Sequence, residues 1–75
     1  MSQRFNRERA RQRRYELGLT VDQLAARIGA PKSYISQVET GAFSPGPVRF
    51  LALAGALQVA PAELWVDTEE REATA

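Results

Sequence analysis

Lys32, Ser33, Ser36 and Gln37 place four hydrogen-bonding side chains at the i, i+1, i+4, i+5 spacing that shares one face of an α-helix. An ammonium at Lys32 can donate to guanine O6 or N7, and an amide at Gln37 can pair with adenine N6 and N7. The two serines are short enough to use water or phosphate instead. This is the chemistry of recognition, not of bond-making. The chain has no histidine and no cysteine. The usual general base, zinc ligand and thiolate are therefore missing. The remaining carboxylates and hydroxyls form no convincing catalytic constellation, so neither an enzyme, a metal site nor a cofactor is expected.

The four polar residues need a helix to carry them and a second helix to brace it. Thr20 followed three residues later by Gln23 is a capping-box pattern. It opens an amphipathic run with Leu24, Ala25 and Ile28 on one side, predicting a helix over 21–28. Gly29 then supplies a helix exit. Pro31 suits the first turn of the next helix, because the N–H it lacks has no intrahelical partner there. Ile35 and Val38 give that helix, over 31–40, an inner face, and Gly41 ends it. Ala25 is the small residue that lets the two helices cross closely. The polar face is thereby left outward on a short, braced helix, the geometry that reads base edges in the major groove. The N–H groups at Thr20 and Val21 open the first of the two helices, where a phosphate can be held.

Three further helices are predicted, with no strand. The first runs from Arg4 to Leu17 with a thin apolar stripe, and it carries Arg4, Arg7, Arg9, Arg11, Arg13 and Arg14 against two glutamates. Arg11 and Arg14 are its nearest phosphate candidates to the braced pair, while Arg4, Arg7 and Arg9 fit a flexible arm that orders on DNA. A loop follows at 42–46. Pro47 starts a helix to about Leu57, with Phe50, Leu53, Ala54 and Leu57 inward. Pro61 starts a short fifth helix carrying Leu64 and Trp65.

Residues 20–41 closely resemble the helix-turn-helix of the phage repressor and Cro family of bacterial regulators. Arg14-Tyr-Glu-Leu-Gly-Leu-Thr20 is similar to that family's Arg-x-x-x-Gly-Leu-Thr approach to the motif. Phe50 to Val59 and Pro61 to Trp65 are similar to its last two helices. The resemblance covers residues 10–66. It implies an all-α, five-helix bundle that binds double-stranded DNA by sequence and regulates transcription, as a homodimer on a palindromic operator. It implies base contacts from Lys32, Ser33, Ser36 and Gln37, with Pro31 packing on a thymine methyl. It implies phosphate contacts from Thr20, Val21 through its N–H, Arg11, Arg14, Thr40 and Arg49. It also implies a buried ion pair between Arg14 and Glu39. Two departures stand out. Relatives often carry Gln where this chain has Val21, and Lys or Arg where it has Ala42-Phe43-Ser44. The same domain type also serves antitoxins, whose partner is a toxin protein, and bridging factors that pack on other proteins such as a polymerase component.

Composition agrees with one domain over 1–66 and an acidic, frayed tail over 67–75. The net charge of +1 conceals an asymmetry: residues 1–49 hold nine basic and four acidic side chains, and residues 50–75 hold one and five. A basic half facing phosphate suits a nucleic-acid binder. Phe50 to Leu57 is the longest apolar stretch, against the roughly 20 residues that span a bilayer. The arginine-rich start lacks an apolar signal core, so a cytoplasmic protein is expected.

Overall fold

The computed structural model describes residues 3–67. Four α-helices form, α1 (Arg7–Glu16), α2 (Val21–Arg27), α3 (Lys32–Thr40) and α4 (Pro47–Leu57), followed by a 3-10 turn at Pro61–Leu64. The capping box at the start of α2 is complete. Gln23 N–H donates to Thr20 Oγ1 at 3.0 Å, and Thr20 N–H donates to Gln23 Oε1 at 2.8 Å. Pro31 stands just outside α3 as its N-cap residue, with extended backbone, rather than inside the first turn. Gly29 has φ +65 between the two helices, a left-handed conformation that costs any other residue steric strain.

The fold differs from a five-helix, strand-free bundle at both ends. Residues 61–64 make a single 3-10 turn, and the chain then straightens into β2 (Trp65–Asp67). At the other end, Gln3–Phe5 form β1 and α1 begins only at Arg7. The two strands pair antiparallel, with Phe5 opposite Trp65 and Gln3 opposite Asp67. Asn6 redirects the chain: its side chain accepts from Arg9 N–H at 3.0 Å, and its own N–H donates to Leu64 O at 2.8 Å. The reason is packing. Phe5 meets Phe50 edge-to-face at 6.2 Å, and Phe50 meets the Trp65 ring at 4.7 Å. An extended segment puts Phe5 into that cluster and pairs its backbone with residues 65–67. No local pattern in residues 3–5 encodes this.

Leu24, Ile35, Val38, Leu53, Leu57 and Leu64 are fully buried and come from α2, α3, α4 and the 3-10 turn. Each contributes about 1.5–3 kcal/mol through burial. Helix α1 adds only Ala10 to this core; its arginines tie it to the other elements instead. Arg13 Nε donates to Leu57 O at 2.8 Å at the end of α4, and Arg9 Nη2 donates to Glu63 Oε1 at 3.1 Å. Arg7 and Arg9 thus belong to an ordered helix and not to an arm. Asp67 closes β2, so the expected fraying at 67–75 otherwise concerns residues 68–75, outside those described.

Candidate nucleic-acid interface

Helix α3 is held from beneath by Ile35 and Val38, which are 1% and 2% exposed. That burial fixes its rotation. Pro31, Lys32, Ser33, Ser36, Gln37 and Thr40 are consequently all exposed. Lys32 Nζ lies 3.9 Å from Asp22 Oδ1, but both side chains are 68% exposed. Such a pair contributes little and leaves the ammonium available.

Two grooves flank this face. One is lined by Arg11, Tyr15, Val21, Ser36, Glu39 and Thr40. It joins α1, the first residue of α2 and the outer side of α3, and so gathers three of the residues assigned to phosphate with one assigned to bases. Thr20 stands exposed beside it in sequence, as the cap of α2. Arg11 Nη2 donates to Glu39 O at 3.1 Å, while its buried Nε has no partner among the described residues. The second groove is lined by Pro31, Ser33, Tyr34, Gln37, Phe43 and Arg49. There the Arg49 guanidinium lies 4.6 Å above the Tyr34 ring, and the Phe43 ring stands 6.1 Å from Tyr34. Phe43 is half exposed and therefore borders the α3 face instead of joining the core.

Arg14 is where the phosphate assignment gives way. It is 7% exposed. Its Nε donates to Glu39 Oε2 at 2.7 Å, Nη2 to Glu39 Oε1 at 2.9 Å, and Nη1 to Leu19 O at 3.0 Å. Every nitrogen of the guanidinium is engaged inside the protein, so Arg14 positions α1 against α3 and is not a free phosphate ligand. The hydrogen bond that Arg14 donates to Glu39, opposed in part by burial, leaves the Arg14 pKa above its ordinary value. In Tyr34, burial raises the hydroxyl pKa and the nearby Arg49 charge opposes it.

Sequence reasoning passed over Tyr34 and Tyr15, which line the two grooves. The available signal was position: Tyr34 lies between Ser33 and Gln37 on the helix, beside the assigned face. Among the described residues, no cluster of three potential metal-ligating side chains occurs, and no helix is long and apolar enough to cross a membrane.

Residues 10–64 match the family model HTH_3, described as helix-turn-helix. Among solved structures, the restriction-modification controller protein C.AhdI from Aeromonas hydrophila is 37% identical, with a TM-score of 0.72 over 76% of this chain and 86% of its own. The P22 c2 repressor, solved in complex with a synthetic operator, is 34% identical, with a TM-score of 0.73 over 77% and 88%. The N-terminal DNA-binding domain of SinR from Bacillus subtilis is 28% identical, with a TM-score of 0.69 over 75% and 83%. No curated protein matches the chain.

Proposed function

The chain belongs to the HTH_3 helix-turn-helix family, and on that footing we propose that it is a DNA-binding transcription regulator, reading double-stranded DNA by sequence as a homodimer on a palindromic operator. The observation that carries this reading is the exposed polar face of α3 between two grooves that each hold an arginine, Arg11 on one side and Arg49 on the other. Lys32, Ser33, Ser36 and Gln37 read base edges, and Pro31 supplies an apolar contact for a thymine methyl. Thr20, the Val21 N–H, Arg11, Thr40 and Arg49 hold phosphates and set the register of α3 in the groove. The similarity to C.AhdI, to a repressor solved on an operator and to the SinR DNA-binding domain supports the same reading.

The homodimer follows from a limit of scale. One nine-residue helix reaches few base pairs, and two-fold symmetry doubles the site. An uncharged surface is available for the second copy. Val48 is 82% exposed, Leu51 60% and Trp65 41%. Pro45, Pro47, Phe50, Leu51 and Trp65 line an apolar groove to which α3 contributes nothing. The same surface suits the protein partner of an antitoxin or a bridging factor, and co-purification of a second small protein would favour those readings.

Selection of bound duplexes from a random pool tests the proposal. The expected product is a palindrome whose half-site centres lie about 34–36 Å apart. An enriched pool without a shared motif would remove sequence-specific reading, and a single half-site would remove the symmetric dimer.

A further inference from the structure

The loop after α3, Ala42-Phe43-Ser44, contains no cation, yet a guanidinium reaches it from elsewhere. A β-carbon built on Gly41 would lie 2.9 Å from Arg7 Nη1 and 3.0 Å from Arg7 Cζ. Arg7 therefore lies directly against the turn that ends α3, so that a side chain at position 41 would have to displace its guanidinium. It lines a cavity of about 180 Å³ together with Arg4, Gly41, Phe43 and Ser44. Among the described residues no carboxylate pairs with the Arg7 guanidinium, whereas most of its neighbours are paired. Arg4 is 3.7 Å from Glu8, Arg9 is 3.1 Å from Glu63, Arg13 is 3.2 Å from Glu16 and Arg14 pairs with Glu39. Arg7 and Arg11 are the α1 arginines with no carboxylate partner among the described residues, and both lie at the C-terminal end of α3. They are four residues apart, so α1 presents them on one side.

We propose that Arg7, with the Ser44 hydroxyl, forms a phosphate clamp at the end of α3 that holds a DNA backbone phosphodiester and takes the place of the missing loop cation. The proposal rests on the DNA-binding reading above. Arg11 grips the duplex from one side of α3, and Arg7 grips it from the end. A guanidinium suits this task because its fixed fork binds two phosphate oxygens at once. Being carried on a helix and pressed against Gly41, it is also better ordered than a side chain on a loop. The competing role for Arg7 is local. Helix α3 has no basic residue in its last turn, and a nearby cation offsets the partial negative charge of its terminal carbonyls. That role affects stability and not the release of counterions from DNA.

The test is the salt dependence of binding to random-sequence duplex by the whole chain, comparing wild type, Arg7→Gln, Arg7→Lys and Arg9→Gln. Each lost phosphate contact lowers the log–log slope by about 0.9. For a dimer, the advantage of wild type over Arg7→Gln should shrink roughly tenfold between about 50 and about 200 mM salt. Arg7→Lys should keep most of the slope, and Arg9→Gln, which loses only contacts to Glu63 and Glu16 within the protein, should keep all of it. In wild type the Arg7 Nε–H NMR resonance should move when duplex is added, a reading that stands even where Arg7→Gln folds poorly. A wild-type slope in Arg7→Gln, or an unmoved Arg7 resonance, overturns the clamp and leaves the DNA-binding reading intact. A wild-type slope near zero overturns both. Stabilisation of wild type by inorganic phosphate at constant ionic strength, with no difference in DNA slope between wild type and Arg7→Gln, would assign the cavity to a small free anion and also overturn the clamp.

Discussion

Arg14 and Glu39 lie 25 positions apart and meet as a two-pronged ion pair, with Nε–Oε2 at 2.7 Å and Nη2–Oε1 at 2.9 Å. The side chains are 8% and 10% exposed. This pair fastens α1 to the last turn of α3, and so sets where Arg11 and Arg7 lie relative to the exposed α3 face. It also places a cation beside a carboxylate that the helix dipole alone would disfavour at that end.

Breaking the pair from one side should be costly. Arg14→Met or Glu39→Gln alone strands a buried charge or leaves donors unmet, at about 3–5 kcal/mol, whereas removing both costs much less. The double variant should therefore be more stable than the sum of the single losses, with a coupling above about 1 kcal/mol in chemical denaturation. Additive losses of a few tenths each would show that the two residues do not meet in solution.

Lys32→Ala and Gln37→Ala should each weaken binding to the selected duplex by about 1–3 kcal/mol and relax preference at one position per half-site. Arg11→Ala should weaken all duplexes about equally. Binding titrations across a panel of single base changes distinguish the two patterns. A uniform loss with Lys32→Ala would move that residue from base reading to phosphate.

Gln58 closes α4 with φ 58 and ψ 45 and is the non-glycine residue with positive φ among those described. A left-handed conformation strains a side chain by about 1–2 kcal/mol. Gln58→Gly should accordingly raise the unfolding free energy by about 0.5–1 kcal/mol, after its own entropy cost is subtracted. A lower thermal midpoint in that variant would show that the Gln58 side chain contributes contacts outweighing its strain.

Glu63 should titrate below its ordinary value of 4.5. The hydrogen bond from Arg9 is the main cause, the Ala60 N–H adds to it, and partial desolvation opposes both. Because the folded value is the lower one, the stabilising contribution is complete above the unfolded value and is lost as pH falls through the folded value. Carboxyl carbon NMR should show the depressed midpoint, and Arg9→Ala should move it back up. An unchanged midpoint in Arg9→Ala would remove the contact between α1 and the 3-10 turn. Between about pH 6 and 8, where no side chain of ordinary pKa titrates in a chain without histidine, DNA affinity should stay flat.

The motif was legible because its signals are local. Thr20 and Gln23 cap one turn, Gly29 and Pro31 punctuate it, and Ile35 with Val38 fix which side of α3 faces inward. Each signal acts within four residues, so the sequence by itself determined the helix pair and its exposed polar side. The ion pair was legible only through family resemblance, since nothing local links Arg14 to Glu39. Tertiary structure decided what depends on distant partners. Residues 3–5 became a strand because Phe5 finds Phe50 and because residues 65–67 offer backbone partners. Pro61–Leu64 stopped at one 3-10 turn because the chain then straightens to make that pairing. Arg14 turned inward and Arg7 turned toward Gly41, although both belong to the same arginine-rich helix. Glu8 and Glu16 pair with Arg4 and Arg13 from within the same stretch of sequence, but the pairing of Arg9 and Arg14 is fixed only when Glu63 and Glu39 arrive from the 3-10 turn and α3.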